Sequence, residues 1–329
     1  MESVACPVCE TREARLLFES RDLESGSGEV FSFVQCALCG LVRVDPRPTR
    51  QELSRFYPEE NWSRVKGRGD PLNANVMGIP WREQMRRRAR AVQAVVPGPA
   101  RLLEIGSGDG YFLRYMQDLG WQVRGVEPGR AAVEYATKEL GVPVECGFPE
   151  DLSSLRGRYD VIYMNHVIEH IGFPVETLRR IRPNLAEEGW LCLATPNWLS
   201  LDRWLFGRHW MALKPPQHLF LYDRRTLGAL LAKAGFALKR TETASADGLP
   251  PLGYTESLRY WLSHLGLYPA RVPLSRSEAM VDRADHPFQA QSPWRRAAQI
   301  VEQGFWSVLA CAADSMGYGT NLKAWAQRS

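Results

Sequence analysis

Four cysteines near the start of the chain have the spacing of a metal site. Cys6 and Cys9 form one CxxC pair, and Cys36 and Cys39 form a second pair after 26 intervening residues. Each pair can turn two sulfurs inward, and four thiolates complete the tetrahedral ligand set that Zn²⁺ prefers. The alternatives are two disulfides, which a reducing compartment disfavours, or a redox-active pair. The spacing predicts a structural zinc site in a zinc-ribbon-like unit.

A glycine-rich stretch in the middle of the chain is the second candidate for chemistry. It reads RLLEIGSGDGYF over residues 101–112, so an apolar run is followed by Gly106, Gly108 and Gly110 and then by a helical pattern. Positions without a side chain let the backbone bend sharply and let a ligand approach the peptide groups, and a helix N-terminus attracts electron-rich groups. The stretch therefore predicts a nucleotide-like cofactor site.

The residues in and around this loop indicate which nucleotide-like cofactor it binds. A dinucleotide fingerprint requires a third glycine at position 111, where the chain has Tyr111. Glu104 precedes the first glycine by two residues, and Glu127 closes the next apolar run, where a carboxylate can accept both ribose hydroxyl protons. S-adenosylmethionine has a ribose and a charged amino-acid end but no phosphate. Two carboxylates, with no lysine or arginine inside the loop, favour that cofactor.

On these residues the chain resembles the class I S-adenosylmethionine-dependent methyltransferases. The loop matches the first motif of that family, Glu127 matches its ribose-binding acid, and residues 159–197 resemble its fourth strand, following helix and fifth strand. The resemblance spans roughly residues 85–245 and implies an α/β, doubly wound, seven-stranded Rossmann-like sheet. Phe148 is either an adenine contact, as the resemblance implies, or a hydrophobic plug under the loop. The cofactor contacts that the resemblance implies are Glu104, Gly106, Ser107, Gly108, Gly110, Glu127, Pro128, Phe148, Asn165 and His166.

Methyl transfer from a sulfonium needs the nucleophile held in line with the methyl group. A hydroxyl or acidic carbon acceptor also needs a general base. His170 lies in the dipeptide EH, at a position similar to one used by ubiquinone-type O-methyltransferases and deoxysugar C-methyltransferases, and His218 lies in PPQHLF. Both are candidate bases, although either imidazole could instead hold a loop carbonyl. Glu169 is expected to orient His170, or to bind a metal as in some relatives, and His166 to line the pocket wall.

These side chains need elements that bring them together. Strand and helix patterns alternate from residue 101 to residue 244, which predicts a mainly parallel sheet with ligands at the carboxyl ends of its strands. A last strand at residues 321–327 is expected to run antiparallel to the strand at 236–244. The aromatic segment 198–222 is too long for an ordinary connection and is expected to form one side of the substrate pocket.

The chain divides into three predicted parts. Residues 1–60 form the zinc-ribbon-like unit, residues 61–98 a linker with a basic amphipathic helix at 81–96, and residues 99–329 the methyltransferase domain. Within the last part, residues 246–312 are expected to form a helical insertion that caps the substrate. The tryptophans of these segments suggest a roomy aromatic pocket; they are Trp198, Trp204, Trp210 and Trp261.

Composition limits the function classes. The 329 residues carry a formal charge of +4, and no stretch approaches the roughly 20 apolar residues of a membrane span. A cytoplasmic enzyme with a small-molecule acceptor, of sugar, lipid-linked or natural-product type, is expected, and the sequence leaves peripheral membrane contact and the oligomeric state open. An RNA or protein methyltransferase is an alternative, although the basic residues lack interleaved stacking aromatics and strand four ends in NHV, not Asn-Pro-Pro-Tyr. A non-catalytic cofactor-binding module is the third.

Overall fold

A computed structural model of the chain describes residues 1–22, 25, 27–57, 75–76, 79–245, 252–267 and 293–329. The N-terminal part contains an antiparallel sheet in which β1 pairs with β2 and β2 with β3. Cys36 ends β2, so the second CxxC pair forms the turn between β2 and β3. The elements are β1 (Ala14–Arg21), β2 (Val30–Cys36), β3 (Val42–Val44) and the short helix α1 (Arg50–Leu53).

The predicted amphipathic helix is present as α2 (Trp81–Gln93), preceded by the two-residue strands β4 (Asn75–Val76) and β5 (Ile79–Pro80). Its apolar positions Met85, Ala89 and Val92 are fully buried. The arginines at 86, 87 and 90 are exposed, whereas the one at 88 is half-buried. The helical periodicity in the sequence therefore identified the face that packs on the core. The basic run at residues 64–70 lies outside the described residues.

A seven-stranded sheet forms the centre of the molecule, in the order β12-β13-β10-β9-β6-β7-β8. Six of its strands run in the same direction, and β13 runs antiparallel to both of its neighbours, as predicted for the last strand. Parallel strands buried on both faces read as nearly continuous apolar runs, which is the pattern of β6 and β9. The strands are β6 (Arg101–Ile105), β7 (Gln122–Glu127), β8 (Val144–Cys146), β9 (Tyr159–Asn165), β10 (Leu185–Pro196), β12 (Phe236–Ala244) and β13 (Asn321–Arg328).

Helices cover both faces of this sheet, which makes the fold an α/β doubly wound one. One core contains residues of α5 and α7 against the sheet, and the second core contains residues of α2, α3 and α4 on the other face. This arrangement places the carboxyl ends of β6, β7 and β9 side by side at one edge of the sheet. The helices up to this point are α3 (Tyr111–Asp118), α4 (Arg130–Lys138), α5 (Pro174–Ile181), α6 (Leu201–Phe206) and α7 (Arg224–Lys233).

The predicted helical insertion contains α8 (Leu252–His264) and α9 (Pro293–Ser315). Phe206 of α6, Tyr254 of α8 and Trp306 of α9 form a small apolar cluster that joins the three helices. Residues 246–251 and 268–292 of the insertion lie outside the described residues. In the part of the chain that the structure describes, no helix is long and apolar enough to cross a membrane.

The aromatic segment at 198–222 also contributes to the N-terminal sheet. Its short strand β11 (Phe220–Leu221) pairs antiparallel with β3 and adds a fourth strand to the N-terminal sheet. Trp198 and Trp210 are buried in the core of that sheet and do not line an open pocket, which corrects the prediction for these two residues. The side chain of Trp204 is 72% exposed.

A buried arginine also ties the N-terminal sheet to the central domain. Arg47 is 2% exposed; its Nε donates to Glu2, and its Nη1 donates to the carbonyl oxygen of Gly172 at 2.6 Å. The guanidinium also lies 5.1 Å from the centre of the Phe173 ring. The expected division at residue 60 is therefore crossed by strand pairing and by side-chain contacts.

Candidate functional site

The glycine loop between β6 and α3 has the conformation that its sequence requires. Gly106, Gly108 and Gly110 all have positive φ angles, of 70°, 54° and 81°. A Cβ atom at Gly106 would lie 2.5 Å from a methyl carbon of Val167, and one at Gly110 would lie 2.8 Å from the Cβ of Ala136. A Cβ at Gly108 would meet no heavy atom within 4 Å. The outer glycines thus allow close packing, and the middle one faces the space that a ligand can approach.

Glu127 holds the far side of this loop. Its side chain is 4% exposed at the end of β7. Oε2 accepts a hydrogen bond from the backbone N–H of Gly108 at 2.8 Å, and Oε1 accepts one from Gly129 at 2.9 Å. Because a carboxylate oxygen can accept more than one hydrogen bond, the same group can also hold ribose hydroxyls. Glu127 therefore links the conformation of the loop to the predicted ribose site.

Glu104 is a buried acid at the end of β6. Burial raises its pKa to about 8; the charge of Arg88 opposes this shift and the charge of Glu127 adds to it. Its Oε2 is buried and has no hydrogen-bond partner among the described residues, and the same is true of Ser107 Oγ. Buried polar atoms are nearly always hydrogen-bonded, so both atoms fit a ligand that brings donors. The ammonium group and hydroxyls of S-adenosylmethionine are such donors, and the residues present fit this cofactor.

The other predicted cofactor contacts lie at the same edge. Pro128 and Asn165 are half-buried at the ends of β7 and β9, and Asn165 Oδ1 accepts from the hydroxyl of Tyr163 at 3.2 Å. Phe148 is 44% exposed and the guanidinium of Arg50 lies 4.8 Å from the centre of its ring. Such exposure excludes the buried-plug reading of Phe148. The adenine contact of Phe148 stays a prediction.

His166 and Glu169 form a pair just beyond β9. His166 has a φ of 55°, and its Nδ1 lies 3.0 Å from Glu169 Oε1. Thr195 Oγ1 donates to the other oxygen of Glu169, also at 3.0 Å. Glu169 is completely buried; burial would raise its pKa, but the hydrogen bond and charge of His166, together with the charge of His170, outweigh burial and lower it. The hydrogen bonds of Glu169 therefore go to His166 and Thr195 instead of His170, which corrects the expected orienting role.

His170 has two partners on its Nδ1 atom. The carbonyl oxygen of Gln217 lies 2.8 Å away, and the hydroxyl oxygen of Tyr57 also lies 2.8 Å away. A carbonyl oxygen only accepts, so Nδ1 carries the proton and Nε2 has a free lone pair. Burial lowers the pKa of His170 from its usual value, while the charge of Glu169 acts in the opposite direction. His170 is therefore neutral at neutral pH, with a basic nitrogen at Nε2.

His218 has the same tautomer. Its Nδ1 lies 2.7 Å from the carbonyl oxygen of Ala212, so Nδ1 donates and Nε2 is unprotonated. Burial lowers its pKa well below the usual value, and the charges of His170 and Lys214 lower it further. A turn closed by the backbone bond from His218 N to the oxygen of Lys214 brings that lysine beside the imidazoles. The site thus presents two neutral histidines close to a cation.

Ligand atoms of Glu169, His170 and His218 lie within 4.8 Å of one another, so the set could reach one metal ion. Both oxygens of Glu169 are already hydrogen-bonded. The metal role of Glu169 stays a prediction.

The four cysteines converge at the N-terminal sheet. The sulfurs of Cys6 and Cys39 are 3.4 Å apart, and those of Cys9 and Cys36 are 3.3 Å apart. These separations exceed the roughly 2.05 Å of a disulfide bond, and all four sulfurs lie within 4.8 Å of one another. Such a set fits the tetrahedral thiolate ligands of a structural zinc ion. Because four thiolates complete the coordination, a zinc ion here would have no open position for chemistry.

The sequence did not identify three residues of the site. Tyr57 contacts His170 from the N-terminal part, the charge of Lys214 lowers the pKa of both candidate bases, and Arg88 of α2 acts on the pKa of Glu104. Arg88 and Tyr57 had no usable signal, because their partners are distant in the sequence. Lys214 stands four residues before His218, and this proximity was a signal that could have been used.

Comparisons with known proteins find similarity to methyltransferases. A family model described as a methyltransferase domain matches residues 81–240. A ubiquinone biosynthesis O-methyltransferase of Bradyrhizobium diazoefficiens is 29% identical in an alignment that covers 53% of this chain and 79% of the relative. A Galdieria sulphuraria structure described as a sarcosine dimethylglycine methyltransferase has a TM-score of 0.48 at 14% identity, covering 84% of this chain and 97% of that one. A Mesorhizobium loti S-adenosylmethionine-dependent methyltransferase has a TM-score of 0.45 at 16% identity, with coverages of 74% and 98%.

Proposed function

We propose, on the premise that residues 81–240 form a class I S-adenosylmethionine-dependent methyltransferase domain, that the protein methylates an oxygen or carbon atom of a small-molecule acceptor. We further propose that His170 or His218 removes the acceptor proton. The observation that carries this proposal is the pair of neutral imidazoles beyond the carboxyl end of β9, with ring centres 4.6 Å apart and both Nδ1 atoms bound to carbonyl oxygens.

The cofactor-binding residues are proposed from the fit of the site. Glu104 would hold the ammonium group, Glu127 the ribose hydroxyls, and Phe148 would face the adenine ring. Arg88, which is close enough to Glu104 to affect its pKa, is suited to the carboxylate of the amino-acid end. When bound, S-adenosylmethionine supplies a methyl group activated by a sulfonium. Ser107, Pro128, Asn165 and His166 would complete the walls of the site.

The chain's own residues can remove the proton of the acceptor. A histidine Nε2 would take the proton of the acceptor, which would leave the acceptor atom nucleophilic toward the methyl group that S-adenosylmethionine would supply. A histidine that is neutral at neutral pH can take this proton. Lys214 increases the positive charge near the acceptor, which favours an oxyanion over a neutral hydroxyl. This environment suits acceptors that lose a proton, either hydroxyls or carbon acids beside a carbonyl.

The class of acceptor is proposed from the same features. The Bradyrhizobium relative is a ubiquinone biosynthesis O-methyltransferase, which supports a hydroxyl acceptor. Sugars, lipid-linked compounds and natural products offer such hydroxyls. On α2, Glu83 forms ion pairs with Arg86 and Arg87, which reduces the free positive charge expected to attract a phosphate or a nucleic acid. A small-molecule acceptor is therefore favoured over RNA.

The test offers radiolabelled S-adenosylmethionine and the purified protein to a small-molecule extract and, separately, to total RNA. We expect label in the small-molecule fraction, and we expect His170→Ala or His218→Ala to reduce it by about 100-fold. His264→Ala is the control, because His264 is exposed and belongs to α8. Label found in RNA alone would overturn the proposed acceptor class. Full label in both histidine variants would overturn the proposed base.

A further inference from the structure

One contact of His170 comes from the N-terminal part of the chain, and the proposed function does not use it. Tyr57 and His170 are separated by 113 residues, yet the tyrosine hydroxyl lies 2.8 Å from His170 Nδ1. The two rings meet at a steep angle of 67° with centres 6.1 Å apart. Both residues are half-buried.

The hydrogen-bond directions in this contact are determined by Gln217. The hydroxyl of Tyr57 donates to the carbonyl oxygen of Gln217 at 3.2 Å, so its oxygen is available to accept from His170 Nδ1. The same carbonyl oxygen also accepts from Nδ1 at 2.8 Å. The tyrosine and the carbonyl together therefore favour a proton on Nδ1, which leaves Nε2 unprotonated.

The position of Tyr57 is itself fixed by the fold. The side-chain amide of Gln217 donates to the carbonyl oxygen of Phe56, one residue before Tyr57, at 3.0 Å. Phe56 is buried in the core of the N-terminal sheet, where its ring meets that of Phe31 edge to face. Tyr57 is thus held between a packed core on one side and the Gln217 turn on the other.

We propose that Tyr57 is a positioning residue for His170, so that the N-terminal part of the chain, together with the Gln217 carbonyl, helps to hold a base of the central domain in its Nδ1-protonated tautomer. This inference rests on the proposed function, because the tautomer matters for catalysis only if Nε2 takes a proton from an acceptor. Only an unprotonated Nε2 can do so. The tautomer itself can be measured without any methyl transfer.

The test is ¹⁵N NMR of the histidine rings in the full-length protein saturated with S-adenosylhomocysteine, with His170 assigned from the His170→Asn variant. Tyr57→Phe keeps the ring and removes only the hydroxyl, and Tyr318→Phe is the matched control because Tyr318 is 50% exposed. We expect His170 in wild type and control to show a protonated Nδ1 and a bare Nε2. In Tyr57→Phe, we expect its two nitrogen signals to move part of the way toward the average of both tautomers, because the Gln217 carbonyl still accepts from Nδ1, while those of His218 stay in place.

Turnover is measured in parallel on the small-molecule fraction that accepts label from the wild-type protein. We expect Tyr57→Phe to lower kcat about three- to tenfold, the effect of losing one hydrogen bond, with the KM for S-adenosylmethionine unchanged. His170 signals that are identical in Tyr57→Phe and wild type would overturn the inference, whatever the turnover. Shifted signals with unchanged turnover would support the positioning role and would count instead against His170 as the base.

Discussion

The imidazole rings of His170 and His218 meet edge to face, with centres 4.6 Å apart and an angle of 77° between their planes. His170 follows β9 and His218 precedes β11, so two separate loops of the chain bring them together. Two imidazolium ions at this distance would repel each other strongly. Protonation of either ring therefore opposes protonation of the other, in addition to the effect of burial.

This relationship predicts the pH dependence of turnover. Both pKa values are lowered from 6.5, so a histidine base stays neutral, and active, as the pH falls to about 6.5. With S-adenosylmethionine saturating at every pH, so that the titration of Glu104 does not enter, we expect the acid limb of kcat to lie below that pH. The free energy of unfolding should also decrease as the pH falls below about 6.5. At such pH values these two histidines bind protons in the unfolded chain but not in the folded chain. A pH–rate profile with an acid limb near pH 7 or above would contradict this prediction.

A second prediction concerns Glu104. Its raised pKa of about 8 means that it is largely protonated at pH 7 without cofactor, whereas binding of an ammonium group favours the carboxylate. Below about pH 8, cofactor binding should therefore release a proton, and affinity should fall by up to about tenfold per pH unit. Calorimetry in buffers of different ionisation enthalpy measures this proton.

The variant Glu104→Gln distinguishes a proton released by Glu104 from a proton released by the cofactor itself. It should weaken binding by about tenfold or more at pH 8 and should abolish the proton release. Glu134→Gln is the control, because Glu134 is exposed on α4 and pairs with Lys138. Equal proton release by Glu104→Gln and wild type would exclude Glu104 as the group that titrates.

The third prediction concerns the glycine loop, where two similar substitutions should have different effects on stability and on cofactor affinity. Gly106→Ala places a Cβ 2.5 Å from Val167 and should lower the melting temperature, whereas Gly108→Ala meets no protein atom and should cost only the roughly 1–2 kcal/mol of a positive φ. Cofactor affinity should fall in Gly108→Ala, because the new methyl group enters the space on the ligand side.

Thermal melts and calorimetry on both variants check this difference. Adding Val167→Ala to Gly106→Ala should restore part of the lost stability, since it removes the methyl groups that the new Cβ contacts. Unchanged cofactor affinity in Gly108→Ala would show that the ligand does not approach the loop at that residue.

The fourth prediction concerns the cysteines. We expect one zinc ion per chain, and we expect chelation or Cys36→Ser to disorder the N-terminal sheet, because metal binding and folding are coupled in small thiolate sites. Cofactor affinity should change little, since Glu104 and Glu127 belong to the central sheet. Turnover should fall, since Arg47 and Tyr57 carry N-terminal contacts to residues near the base.

Elemental analysis of freshly purified protein and hydrogen exchange before and after chelation provide the measurement. Cys311→Ser is the matched control, since that cysteine is exposed on α9 and remote in sequence from the four sulfurs. Protein that contains no zinc and keeps full amide protection in residues 1–57 would contradict the prediction.

The sequence alone determined the features that depend on local spacing. Glycines at 106, 108 and 110 require a tight turn after an apolar strand, and the alternation of strand and helix patterns leads to a parallel sheet with its sites at one edge. The two CxxC pairs place four sulfurs at distances that a single ion can bridge. These inferences held because each rests on residues within one turn or one element, or on a rule that applies to every sheet of this kind.

Only the tertiary structure decided which side chains meet. Glu169 was expected to orient its neighbour His170, but the 3₁₀ turn at Ile168–His170 directs its carboxylate to His166 and Thr195. The aromatic segment supplies β11 to the N-terminal sheet and buries Trp198 and Trp210 there. Tyr57 reaches His170 across 113 residues. Sequence periodicity reports whether a side chain faces the core or the solvent, whereas the identity of its partner depends on how separate elements pack, and no local pattern contains that information.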